Sequence, residues 1–281
     1  MEKKHEYLIC IDSDGCAMNT MSIKHIQCFG PCMIAEWNLE QWDEKLLDRW
    51  NEINLYEESR GINRFKGLLQ ILKEVNEQYR PVEDLIDLEN WVARTNELSE
   101  AALEREIQET HAPILEKALH WSQAVNRSIA ALDVNLKQPF IGVRQALQKA
   151  SGKADVVIVS SANRQAVEEE WKRCGLLPYV SEVMAQDNGS KAQCIASLLL
   201  KGYSRNCVLM VGDAMGDLVA ADRNGVYFYP IQGRKEAASW EIFQKEILEQ
   251  FCSGHYGAED QKRWTQQFRD NFHEKESGRR A

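Results

Sequence analysis

The stretch Tyr7-Leu8-Ile9-Cys10-Ile11-Asp12-Ser13-Asp14-Gly15 decides how the rest of the chain is read. A strand over residues 6–11 is apolar almost throughout and ends at an aspartate. It lacks the alternation of a half-exposed strand, so it is expected to be buried on both faces, as central parallel strands are. The pattern recurs over residues 155–159, which run into Ser160, and over 207–211, which run into Gly212-Asp213. Residues 226–229 form a fourth strand of the same kind. Helical segments follow three of these strands. One spans 163–174, with Asn163 as N-cap and Gly175 as stop. Another spans 191–201 behind Ser190, and a third spans 217–224 and stops at Gly225. Strands alternating with helices predict an α/β fold with a doubly wound, Rossmann-like parallel sheet.

The region between Thr20 and Leu136 has a different period. Leu39, Trp42, Leu46, Leu47 and Trp50 share one helical face. Phe65, Leu68, Leu69, Leu72 and Val75 share another, and so do Ile114, Leu115, Ala118, Leu119 and Val125 behind Pro113. Residues 83–109 are acid-rich and read as solvated helix faces. Near the end, Trp264, Phe268 and Phe272 recur every fourth position, as in an amphipathic helix docked on the body; a dimer contact is the alternative. The expected division is an α/β core over 1–19 and 137–235, an all-helical insertion over 20–136, and a C-terminal helical extension over 236–281.

Composition narrows the function. The 281 residues carry a net charge of −9, with 44% hydrophobic and 27% charged residues, a globular balance. An acidic chain repels nucleic-acid phosphates and anionic membrane surfaces, so neither is an expected partner. The apolar run after the first six residues is too short for a signal peptide, and no run approaches the ~20 residues of a membrane span. Eight cysteines are scattered without zinc-ligand spacing; Cys10, Cys194 and Cys207 lie in apolar segments and read as buried thiols. A reducing, cytoplasmic location is expected.

Ligands of open α/β sheets bind at the carboxyl ends of the strands. Here those ends bear Asp12, Asp14, Ser160, Asp213 and, slightly further on, Asp217. Crowded carboxylates need a cation or raised pKa values, and an all-oxygen donor set favours a hard ion, with Mg2+ the default beside phosphate. Asp12 stands first off its strand and Asp14 two residues on, where Gly15 lets the chain turn away. At that spacing one carboxylate can attack phosphorus while the other protonates the leaving oxygen and later takes a proton from water. The Ser160 hydroxyl and the Lys191 ammonium, at a helix start, suit phosphoryl oxygens. Singly, each has a plainer reading: Asp217 could merely cap its helix, Ser160 could be a turn serine and Lys191 a surface lysine.

Together these residues resemble four motifs of the haloacid-dehalogenase-like superfamily, in its helical-cap, phosphatase and phosphomutase branch. The first resembles Ile9-Cys10-Ile11-Asp12-Ser13-Asp14-Gly15, the second Val156-Val157-Ile158-Val159-Ser160-Ser161, the third Lys191, and the fourth Val211-Gly212-Asp213-Ala214-Met215-Gly216-Asp217. Pro139-Phe140-Ile141-Gly142-Val143 is similar to the usual lead-in to the second. The resemblance implies that Asp12 forms an aspartyl-phosphate and that Asp14 is the general acid and base, with its backbone carbonyl on Mg2+. It implies that Asp12 and Asp213 ligate Mg2+, that Asp217 supports the metal site, and that Ser160 and Lys191 hold the phosphoryl group. Cys16 stands where the family usually has Thr or Val, and reads as a packing residue. The segment 22–37 departs from the usual entry into the helical cap.

By the same resemblance, an acid at position 14 implies phosphate monoester hydrolysis or phosphate transfer within a sugar, and the expected function is a phosphatase acting on a small phosphorylated metabolite. The alternatives are a sugar phosphomutase and a catalytically silent binding protein on the same fold. Within the insertion, Arg60-Gly61-Ile62-Asn63-Arg64 interrupts the helical pattern. Arg60 and Arg64 are candidate substrate contacts, set against a plain helix-end loop with surface arginines. Hinges are expected near Thr20 and Leu136.

Overall fold

A computed structural model describes residues 1–273; the last part of the expected C-terminal extension, residues 274–281, lies outside the described residues. The chain divides into two compact units, Met1–Met21 with Asn135–Ala281, and Ser22–Val134.

The first unit is built on five parallel strands in the order β3-β2-β1-β4-β5. They are β1 (Tyr7–Ile11), β2 (Ala154–Val159), β3 (Glu182–Met184), β4 (Val208–Gly212) and β5 (Tyr227–Pro230). Four of them lie where the apolar runs place them. β3 was not expected: it is a three-residue edge strand with no apolar run of its own. β1 is central, pairing Ile11 with both Ile158 and Val211. Its residues Leu8–Ile11 are fully buried, because helices cover both faces of the sheet.

Those helices start and stop on local chemistry. Arg164–Arg173 is capped by the Asn163 side chain, which accepts from Ala166 N, and the chain turns away at Gly175 with φ +62°. Lys191–Leu199 is capped by Ser190, whose Oγ accepts from Gln193 N while Gln193 Oε1 accepts from Ser190 N. Met215–Asn224 begins two residues earlier than expected, because Asp217 Oδ2 reaches back to Ala214 N at 3.1 Å.

The edge at β5 is closed by the C-terminal segment. Phe228 N donates to Gln261 Oε1 at 3.0 Å, and Tyr256 Oη donates to Phe228 O at 2.8 Å. The helix Ala258–His273 packs Trp264 into the core on one side of the sheet and Phe268 into that on the other. An edge strand whose polar groups are occupied by side chains presents no template for another strand.

The second unit is helical throughout, with Gly30–Trp37, Asp43–Asn51, Arg64–Gln78, Leu85–Arg94, Glu100–Thr110 and Pro113–Ala131 as its longer helices. Its core joins the three apolar faces seen in the sequence, around fully buried Trp50, Trp91 and Trp121. Among the described residues, no helix is long and apolar enough to cross a membrane.

Candidate active site

The parallel ladder brings the ends of β2, β1 and β4 side by side. Asp12 is the first residue after β1, Ser160 the first after β2, and Asp213 the first after β4. Asp12 N donates to Val211 O at 3.0 Å, carrying the β1–β4 ladder one residue past the strand. Ser160 N donates to Met184 O, so β3 fixes the loop that carries the serine.

Carboxylate oxygens of Asp12, Asp213 and Asp217 lie within 4.8 Å of one another, and all three residues are buried. Lys191 Nζ stands 3.0 Å from Asp12 Oδ2 and donates to Asp217 Oδ1 at 2.6 Å. The helix Lys191–Leu199 supplies the lysine from its first turn, and Met215–Asn224 supplies Asp217 from its own. Asp217 therefore does two jobs, one oxygen capping its helix and the other facing the lysine.

Asp217 can take this place because position 212 is glycine. A Cβ on Gly212 would fall 2.3 Å from Asp217 Cγ. Asp14 sits in the turn that follows, where Gly15 has φ +82° and donates its N–H to Met18 O at 2.9 Å. Thr20 Oγ1 donates to the Asp14 carboxylate.

Burial pushes the Asp12 carboxyl well above the usual carboxylate range; Lys191 opposes this, while Asp217 and Asp213 add to it. Burial works against the Lys191 ammonium, yet Asp12 and Asp217 outweigh it and hold the lysine charged beyond its ordinary range. If all are ionised, these three carboxylates and one ammonium carry two more negative charges than positive. A buried all-oxygen set with that imbalance suits a hard divalent cation, which would stabilise the ionised form of Asp12.

The expected site residues of the α/β unit thus divide by contact. Asp12, Asp213, Asp217 and Lys191 meet, Ser160 ends the neighbouring strand, and Asp14 is held in the turn by Thr20. Ser160 is buried and its Oγ accepts from Ala162 N, whereas Ser161 is exposed. Cys16 is fully buried, with Sγ 3.6 Å from Val211 O.

Arg60 and Arg64, the candidate substrate contacts, belong to the helical unit, and both are tied to neighbouring residues there rather than standing as loose surface arginines. Arg60 is 2% exposed and donates to Leu55 O at 2.7 Å. Arg64 opens the helix Arg64–Gln78, donates to Ser122 Oγ and Asn126 Oδ1 at 2.9 Å each, and lies over the Phe29 ring at 5.0 Å.

Sequence reasoning passed over three residues that shape the Asp12–Asp14 turn: Thr20, Trp171 and Trp240. Trp171 Nε1 donates to Ser13 Oγ, and Trp240 Nε1 donates to Cys16 O, both at 2.9 Å. Threonine two residues past Met18 offered a weak signal; the tryptophans offered none, since both read as core aromatics.

A family model described as haloacid dehalogenase-like hydrolase matches residues 84–231, a span that contains Ser160, Lys191, Asp213 and Asp217. A structure from Lactobacillus delbrueckii subsp. bulgaricus, described as a "putative phosphoglycolate phosphatase", is similar with a TM-score of 0.52 at 11% identity, covering 90% of this chain and 100% of that one. A "predicted phosphatase" from Clostridium acetobutylicum is similar with a TM-score of 0.49 at 12% identity, covering 88% and 100%. A haloacid dehalogenase-like family hydrolase from Streptococcus pneumoniae gives 0.46 at 14% identity, covering 85% and 91%. At these identities the first of the three speaks for the fold alone. No curated protein sequence matches the chain.

Proposed function

The chain belongs to the haloacid dehalogenase-like hydrolase family, and from that premise we propose that it is a Mg2+-dependent phosphatase that hydrolyses a small phosphorylated metabolite through an aspartyl-phosphate on Asp12. The observation that carries this reading is the convergence of Asp12, Asp213 and Asp217 within 4.8 Å, with Lys191 between Asp12 and Asp217.

Asp12, Asp213 and Asp217, with the Asp14 backbone carbonyl, are the groups that would hold the ion. When bound, Mg2+ supplies charge neutralisation for phosphoryl oxygens and keeps Asp12 ionised. The residues divide the remaining work. A carboxylate oxygen of Asp12 attacks phosphorus, and the bond from phosphorus to the leaving oxygen breaks. Asp14 gives that oxygen its proton, and an alcohol departs. Water then attacks the same phosphorus while the Asp14 carboxylate takes its proton, so phosphate leaves and Asp12 and Asp14 return to their starting forms. Lys191 and the Ser160 hydroxyl hold the oxygens of the phosphoryl group. Thr20, bound to the Asp14 carboxylate, orients the acid.

A panel of phosphorylated metabolites and p-nitrophenyl phosphate, assayed for phosphate release with and without Mg2+, tests this reading. Turnover that needs Mg2+ and disappears in Asp12→Asn is expected. An isomerised sugar phosphate without released phosphate would make the protein a mutase; no turnover on any substrate class would leave a binding protein.

A further inference from the structure

Two indoles that the chemistry above does not use fix the turn from outside. Trp171 and Trp240 are both fully buried, and their Nε1–H groups reach Ser13 Oγ and Cys16 O respectively, each at 2.9 Å. Ser13 is fully buried too, and its carbonyl accepts from Ala17 N at 3.0 Å and Met18 N at 2.8 Å. Ser13 is therefore anchored at its backbone by the turn and at its side chain by a helix far away in sequence.

We propose that Trp171 is a positioning residue that acts through Ser13 to hold the nucleophile Asp12 and the acid Asp14 in fixed register; the inference rests on the roles assigned to those two aspartates above. Ser13 is the one residue between them, so its φ and ψ set the separation and relative direction of the two carboxylates. Any freedom there passes straight to the groups that must act on opposite sides of the same phosphorus. A second consequence follows from where Trp171 sits. Its helix, Arg164–Arg173, begins a few residues after Ser160 and is the first element past that serine's loop. The indole therefore ties the helix behind the phosphoryl-holding serine to the loop carrying the nucleophile.

A hydrophobic residue at position 13 would fill the same space, but it would give the indole N–H no acceptor and the loop no directional anchor. Small misplacements of reacting groups are costly, with about 1 Å costing up to ~100-fold in rate.

The test replaces Trp171 in the full chain with β-(3-benzothienyl)alanine, which keeps the bicyclic ring and exchanges the N–H for sulfur. Trp171→Phe serves as a second variant, and Ser13→Ala and the Trp171/Ser13 double variant complete a cycle. Turnover of p-nitrophenyl phosphate with Mg2+ is measured beside Asp12→Asn and beside thermal unfolding. Each single change is expected to lower kcat roughly tenfold with KM unchanged, and the double variant to lose no more than the worse single one. Undiminished kcat in the benzothienyl variant of an active enzyme overturns the inference and leaves the phosphatase reading standing. So does a loss that multiplies in the double variant, or one that only tracks the fall in Tm. A wild type that turns over nothing overturns the phosphatase reading and this inference with it.

Discussion

Gly212→Ala adds a single methyl group and should disable the site. The new Cβ would lie 2.3 Å from Asp217 Cγ and 2.4 Å from Oδ2, where ordinary contact begins at 3.4 Å. The Asp217 carboxylate, or the backbone beneath it, must give way by about 1 Å to restore close packing. Asp217 Oδ1 now lies 2.6 Å from Lys191 Nζ, and Oδ2 lies 3.1 Å from Ala214 N. A retreat of that size takes both beyond good hydrogen-bond length. Overpacking costs about 1–3 kcal/mol, and loss of a charge-assisted bond in a buried place adds about 1.5–3 kcal/mol. The sum, about 2.5–6 kcal/mol, corresponds to a Tm lower by roughly 5–24 °C at about 2–4 °C per kcal/mol. Activity should fall about 100-fold or more, as a 1 Å displacement of a catalytic group does. Gly216→Ala, in the first turn of the helix Met215–Asn224, is the control. A Cβ there meets nothing within 4 Å, so stability and activity should hold or improve slightly. The assay is urea unfolding with Mg2+-dependent turnover for both variants. A Gly212→Ala protein with stability and turnover like the wild type would refute the close approach of Asp217 to strand β4.

Lys191→Met leaves three buried carboxylates without their ammonium and should destabilise the metal-free protein by about 3–5 kcal/mol; a Tm unchanged in EDTA would refute the ion-pair account. Mg2+ should raise the Tm of the wild type through binding to the folded state alone, by RT ln(1 + [Mg2+]/Kd), and Asp213→Asn should abolish that rise. Asp155 should contribute stability in a pH-dependent way: burial would raise its carboxyl, but Tyr203 Oη at 2.6 Å and the N–H groups of His5 and Lys4 outweigh burial and hold it below the usual range. A depressed carboxyl stabilises above its unfolded value, about 3.9. The stability gap between wild type and Asp155→Asn should therefore be full at neutral pH and shrink as pH falls below about 4 in acid titrations of unfolding; a gap that widens toward acid would refute it. Gln261→Ala strands the Phe228 N–H at about 1–3 kcal/mol, whereas Gln261→Glu keeps the acceptor; equal damage from both would refute the edge-sealing role.

The sequence carried the fold because its main strands are buried on both faces. Residues 7–11, 154–159 and 208–212 need an unbroken apolar run to sit in the middle of a covered sheet, and such runs are visible in one dimension. Glu182–Met184 needs no such run at the edge, and three residues of mixed polarity leave no pattern. The four groups that meet were legible because each ends a strand or opens a helix, so topology alone brings them to one end of the sheet. Trp171 was not legible, because its role lies in one N–H meeting a serine 158 positions earlier. The surroundings of Arg60 were not legible for a related reason: nothing local to Arg60-Gly61 tells that the guanidinium folds back onto Leu55 O and is buried.

The central position of β1 has a consequence for how the chain is made. Tyr7–Ile11 is synthesised well before its neighbours Ala154–Val159 and Val208–Gly212, which are translated only after the whole of Ser22–Val134. The helical unit is continuous in sequence and can condense from nearby segments, while the strand that leads to Asp12 waits with both of its edges open. Long-range parallel pairing of that kind is slow and exposes apolar surface meanwhile. Asp12 and Asp14 thus follow a segment with a long interval between synthesis and burial, and the yield of native protein should depend on how well that one strand is shielded during translation.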